Sequence, residues 1–201
     1  MKKVVVLVSG LSRAGKDTFS EALMKRCGEM ATAYKFAESL RNALSLATDY
    51  LKLDVSVWSE DPEEKKLLRP ALQAIAEYAR TKNEDVFAEN TAEEIERSFR
   101  LLASMKPRTP AIAVVSDLRH ANELQVIGRH AKQDDWQVFW VHVIKEGNPP
   151  ANAIELAHMD KMLAQGLPDA VYRAAPGSPR VLDRAAEDFY NTFILPYHQQ
   201  E

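Results

Sequence analysis

Residues 3–9, KVVVLVS, form an unbroken run of apolar, mostly β-branched side chains. Alternation is missing, as expected of a strand covered on both faces, the position of a central strand in a parallel sheet. A glycine-bearing turn follows. From Lys16 to about Met30 the apolar positions change to a helical period, with Phe19, Leu23 and Met24 at helical spacing and Gly28 near the end. Ala33 to Ala37 predicts a short second strand. From Glu38 to Arg108 the pattern is helical almost throughout: Leu40, Leu44 and Leu51 are periodic, Ser59–Glu64 is a polar break, and Leu68, Leu72 and Ile75 resume the period. Strand-type runs return at Ala111–Asp117 and Gln137–Ile144, with a helix between them. Lys145–Pro150, carrying Gly147, Pro149 and Pro150, predicts a loop. A short helical piece to Gln165, a weak strand over Asp169–Ala174 and a last helix over Val181–Phe193 complete the pattern.

Strands alternating with helices specify an α/β fold whose parallel sheet carries helices on both faces. Ligands of such sheets bind beyond the carboxyl ends of the strands, so the loops starting at Ser9, Ala37, Asp117 and Lys145 are expected to converge. The block 38–108 then reads as a helical insert over that edge. With 201 residues, 46% of them hydrophobic and 27% charged, the chain is long enough for one domain with a real core. A net charge of −3 and a pI near 6.0 argue against a surface that coats nucleic acid. The single Cys27 excludes an internal disulfide framework. The run Val4–Val8 is too short for a signal sequence, and no stretch approaches the ~20 apolar residues of a membrane span. A cytoplasmic protein is the expectation.

The first loop reads Gly10-Leu11-Ser12-Arg13-Ala14-Gly15-Lys16-Asp17-Thr18. It fits G-x-x-x-x-G-K, the phosphate-binding loop, with Asp17 where Ser or Thr is usual and Thr18 displaced by one. Glycines at these offsets let successive N–H groups turn inward as an anion nest at a helix N-terminus, and Lys16, read as a solvated loop cation, supplies a point charge for a phosphoryl group. Such a loop after a buried strand specifies a P-loop three-layer α/β/α domain. The same residues approximate the G-x-S-x-G nucleophile elbow with Ser12 as nucleophile, but the final glycine is missing and Gly15-Lys16 is then without a role.

Two further constellations carry candidate chemistry. Asp117 closes an apolar strand, as an acid holding Mg²⁺ or its water beside a phosphate loop does, and Arg119 adds a planar guanidinium two residues on. The plain alternative for Asp117 is a helix N-cap. Arg69, Gln73 and Arg80 fall near a common helix face and could hold a phosphate and a base edge. Equally, they could be an exposed basic face paired with Glu77 and Glu84.

These residues resemble the phage-type deoxynucleoside monophosphate kinases, whose loop the phosphomevalonate kinases partly share. The GKDT of residues 15–18 is similar to the family's loop, Lys35–Leu40 to its F-A-D-P-L-K segment, Leu72 to Arg80 to its L-Q-x-h-G-T-x-x-R helix, and Val115–Glu123 to its S-D-V-R-F-x-N-E signature. The resemblance implies ATP and Mg²⁺ as cofactors, with Gly10, Ser12, Arg13, Ala14, Gly15, Lys16, Asp17 and Thr18 on the nucleotide. It places Asp17, Thr18 and Asp117 on the metal, and Glu38, Arg69, Gln73, Arg80 and Arg119 on an acceptor nucleotide. Asp117 and Arg119 stand between the two phosphates. The family's G-T pair is Ala76-Glu77 here, its H-x-S-E becomes Asn152-Ala153-Ile154-Glu155, and the candidate lid, 145–165, contains no arginine. Arg13, with Arg119, is therefore expected to supply the cation a lid arginine brings, Lys145 and Lys161 being the other candidates. Small-molecule nucleotides are the expected partners and a membrane is not; a homodimer is left open. Alternative acceptors are phosphomevalonate or a hydroxymethylated pyrimidine within DNA, and a further alternative is a nucleotide-binding protein without turnover.

Overall fold

The computed structural model of the chain describes residues 1–59, 61–106 and 109–199. Glu60, inside the polar break, and Arg108, the end of the helical block, lie outside them. Five strands, β1 (Lys3–Ser9), β2 (Ala31–Tyr34), β3 (Ala111–Leu118), β4 (Trp136–Lys145) and β5 (Ala170–Ala174), form one parallel sheet in the order β2-β3-β1-β4-β5. The unbroken apolar run of β1 has its cause in this position. Val4, Val6 and Val8 enter one core with Phe19, Leu23, Phe139 and Phe189, while Val5 and Leu7 enter the other with Ile95, Phe99, Ile127 and Trp140. Both faces are dry, so alternation has nothing to select.

The helices are α1 (Lys16–Cys27), α2 (Glu38–Tyr50), α3 (Pro62–Lys82), α4 (Val86–Met105), α5 (Ala121–Asp134), α6 (Ala153–Leu163), α7 (Pro179–Phe189) and α8 (Leu195–Gln199). Helix α1 ends at Cys27, three residues before the expected Met30, because Gly28 takes φ 58 and a 3₁₀ turn leads directly into β2, which lies over Ala31–Tyr34 rather than Ala33–Ala37. The closing helix likewise continues beyond Phe189, through one π-helical turn at Tyr190–Ile194 into α8.

The helical block divides. Helices α2 and α3 meet through small satellite clusters, one around Leu40 and Ala76 and one around Leu44, Val57 and Leu68. Helix α4 buries Ala88, Ala92, Ile95 and Phe99 in a main core of the sheet, while its first turn, through Phe87, joins the cluster of α2 and α3 over the sheet edge. The strand order changes direction between β3 and β1, which sets their carboxyl ends as the crevice for a ligand. No described helix is long and apolar enough to cross a membrane.

Candidate functional site

The loop after β1 is closed by geometry that its residues dictate. Gly10 has φ 147, and a Cβ there would lie 2.3 Å from the carbonyl oxygen of Val143 on β4. Gly15, at φ 98, opens α1. Lys16 is the first residue of that helix and is buried rather than solvated: its Nζ donates to the carbonyl oxygens of Gly10 and Leu11, both at 2.9 Å. Burial, followed by the nearby Arg119 cation, lowers the pKa of its ammonium, while Asp17, Glu155 and Asp117 oppose the shift. The loop thus holds its own charge against its own carbonyls. Among the described residues Ser12 Oγ makes no hydrogen bond to an imidazole, the contact a nucleophile elbow requires.

Helix α6 is laced onto this loop. The Ser12 amide donates to Glu155 Oε1 at 2.7 Å, the Ala151 amide donates to Glu155 Oε2 at 2.7 Å, and Asn148 Nδ2 donates to the Ser12 carbonyl at 2.8 Å. Asn152 caps α6 by accepting the Glu155 amide. Asn152 and Glu155, three residues apart at a helix start, are legible in the sequence as a capping pattern. The grip of Glu155 and Asn148 on the loop is not, because it joins segments more than a hundred residues apart.

At the end of β3 the two carboxylate oxygens of Asp117 accept the amides of Phe36, at 2.8 Å, and Ala37, at 3.2 Å. Burial raises its pKa; those two bonds, then Arg119 and Lys35, pull it back down. Asp117 is therefore no N-cap: the cap of α5 is His120. Two residues beyond Asp117, the backbone of Arg119 is fixed by Glu123, whose Oε2 accepts the amides of Arg119 (2.8 Å) and His120 (2.9 Å) and whose carboxyl is pushed up to about 7 by burial.

The insert brings Arg69, Gln73 and Arg80 to that strand end. A cavity of about 320 Å³ is lined by all three together with Asp117, Arg119 and Phe87. The Arg80 guanidinium lies over the Phe87 ring, 4.9 Å from its centroid, a cation–π seat that the exposed-face reading lacks. Ala76 lines this cavity, whereas Glu77 is exposed. A second cavity, about 280 Å³, is lined by Gly10, Ser12 and Glu155 and shares Arg69, Gln73, Arg119 and His120 with the first. The phosphate loop and the insert helix thus open onto one continuous lining.

Other expected site residues lie outside this lining. Glu38 lines a further cavity of about 320 Å³ with Lys35 and Trp58, which shares Ala37 and Arg41 with the cavity at Asp117. Arg13 is exposed, with φ 61. Asp17 and Thr18 are exposed on the first turn of α1, Asp17 lying 3.3 Å from Lys35 Nζ. The sequence reading missed Phe87, met Glu123 only inside the 115–123 signature, and gave His120 and His158 no place at a phosphate site. The His120 ring stacks obliquely on His158 at 4.5 Å, and burial, then the positive charge of Arg80 and the neighbours His158, Arg119 and Lys161, hold its pKa down to about 4.

A strand, this loop and a helix, set in a five-stranded parallel sheet between two helical layers, give the P-loop NTPase α/β/α fold. No family model matches the chain and no curated protein matches it by sequence. Among solved structures it is similar to the tunicamycin resistance protein of Deinococcus radiodurans, at 13% identity over 94% of this chain and 95% of that one, with a TM-score of 0.51. It also aligns with the APS kinase CysC of Mycobacterium tuberculosis in complex with AMPPNP and APS, at 15% identity, 94% and 96% coverage and a TM-score of 0.47. At 13% identity the likeness to the tunicamycin resistance protein speaks for the fold alone.

Proposed function

We propose that the chain transfers the γ-phosphoryl group of ATP to a (deoxy)nucleoside monophosphate, giving the diphosphate. The observation that supports this best is the shared lining. Loop residues Gly10 and Ser12 and the insert residues Arg69 and Gln73 face one space with Arg119 between them, and Arg80 completes the insert side. Four guanidiniums, of Arg41, Arg69, Arg80 and Arg119, line one cavity, and their planar forks suit the paired oxygens of a multiply charged anion such as an acceptor phosphate. An ionised acceptor phosphate is already a nucleophile, so positioning and charge neutralisation carry the transfer and no protein base is demanded.

In this reading Lys16 leaves the Gly10 and Leu11 carbonyls for the phosphates of ATP, and Arg119 neutralises charge between donor and acceptor. Asp17 and Thr18 offer hard oxygens beside the loop and fit Mg²⁺, which keeps several of its waters. Both Asp117 oxygens already accept amides, so Asp117 acts chiefly by holding the 35–37 turn against the site. Bound Mg²⁺ would neutralise phosphate charge. Arg13 is the candidate for the role of a lid arginine. Coupled ADP release with each dNMP, each NMP and phosphomevalonate tests the reading. Turnover with one or a few nucleoside monophosphates is expected. Turnover with phosphomevalonate alone would reassign the acceptor, and ADP release with none would leave a nucleotide-binding protein.

A further inference from the structure

The outer face of α3 is unlike the surface of an ordinary solvated helix. Leu67 is 73% exposed and Tyr78 67%, Ile75 is at the border of exposure, and Pro70, Ala71 and Ala74 between them are exposed. At 100° per residue, Leu67, Ala71, Ala74 and Tyr78 occupy one narrow stripe, with Pro70 and Ile75 on its two borders. Arg69, Gln73 and Arg80 lie on another side of the helix, toward the cavity. Isolated exposed apolar residues are common, but a continuous apolar stripe along a 21-residue helix, flanked by polar positions, marks a contact surface.

The stripe is symmetric about a point between Leu72 and Gln73. Leu67 and Tyr78 are equidistant from it, as are Pro70 and Ile75, and Ala71 and Ala74. At the ends the same relation pairs Glu63 with Lys82, both exposed and of opposite sign. Laid antiparallel on a second copy about a two-fold axis, the stripe meets itself: each Leu67 meets a Tyr78, the small residues meet at the centre and let the helices approach, and each Glu63 meets a Lys82. Lys82 is already poised for this, its Nζ lying 5.6 Å from the centroid of the Tyr78 ring. Within the stripe and at its two ends, no pair sets like charges together. Such self-complementarity is what an isologous two-fold interface requires, and an unrelated partner would have no need of it.

We propose that this face of α3 is the two-fold interface of a homodimer, with α3 packed antiparallel on α3 of a second copy. The cavity proposed for the acceptor in each copy then lies on the side of a helix that the dimer braces, α3 packing on its own chain through two small clusters among the described residues. One pair of helices is a small interface beside the ~1,200 Å² of a standard stable one, so a weak, concentration-dependent dimer is expected.

Sedimentation velocity of the full chain across the micromolar range tests this without reference to activity. The expected result is a mass of two chains at the upper end, converted to one chain by the double variant Leu67→Lys, Tyr78→Lys. Either single reversal, Glu63→Lys or Lys82→Glu, should weaken the dimer, and the two together in one chain should restore it, which also guards against a variant that misfolds. Mixing Ala71→Cys with Ala74→Cys protein should give a disulfide-linked heterodimer. Native Cys27 does not interfere, being buried with its thiol pushed up to about 12. A single-chain mass at every concentration, a dimer indifferent to Leu67→Lys and Tyr78→Lys, or a dimer in which the mixed cysteines fail to link would overturn the proposal.

Discussion

His120 and Glu123 stand three residues apart at the start of α5, and burial drives them in opposite directions. The Glu123 carboxyl, ordinarily near 4.5, is raised to about 7, so between those values the native chain keeps a proton the unfolded chain has lost, and stability falls as pH rises. The His120 imidazole, ordinarily near 6.5, is lowered to about 4, so the unfolded chain binds its proton first as pH falls, and stability falls with it. Between 4.5 and 6.5 the two slopes oppose and largely cancel. Removing either residue exposes the other: urea midpoints of Glu123→Gln should drop from pH 6.5 to 4.5, and those of His120→Gln should climb over the same interval. Parallel slopes in the two variants would refute the opposed pair. None of this is visible in the sequence, where His120 is one histidine among five; its neighbours Arg80 and His158 arrive from α3 and α6. The loop is the reverse case. Gly10, Gly15 and Lys16 were legible because the turn they make is local, whereas the burial of Lys16 depends on where its own Nζ bonds.

Among the elements, α3 and α6 carry the claims about function. If α3 holds the acceptor, Arg80→Ala should raise the acceptor KM roughly tenfold or more, the loss of one charge-assisted contact, with the KM for ATP moving much less. Equal damage to both would return Arg80 to packing on Phe87. Glu155 sets a carboxylate against the Ser12 amide and within the field of Lys16. Glu155→Gln keeps an oxygen for that amide but drops the charge, so ATP should bind several-fold more tightly while segment 148–163 becomes more open to protease; weaker ATP binding with unchanged cleavage would make Glu155 a simple cap. The sequence reads 38–108 as one helical block, since on either side of the polar break at Ser59–Glu64 its apolar period is helical. What separates α4 from the insert is its partner: Ile95 and Phe99 pack on the sheet, while Leu40 and Leu44 pack on α3. Periodicity reports that a face is buried but not against what.

For the molecule as a whole, the sheet order places the ends of β1 and β3 side by side, and the loop, Asp117 and Arg119 follow from that placement. The strand runs announced the parallel sheet because a doubly covered strand leaves no polar alternation. The base and sugar of the proposed acceptor are not legible in the sequence, since the cavity proposed to hold it has walls drawn from α2, α3, α4 and β3 together. The central claim is transfer of phosphate from loop to insert across one shared lining. Incubating the protein with γ-³²P-labelled ATP, Mg²⁺ and the monophosphate panel, then separating the nucleotides, follows the label itself. Label should move to a nucleoside diphosphate with the native chain, and fall by roughly a thousandfold, about 4 kcal/mol of transition-state stabilisation, in folded Lys16→Met protein. Label that stays on ATP or appears only as inorganic phosphate with every acceptor, or equal transfer by Lys16→Met, would contradict the account.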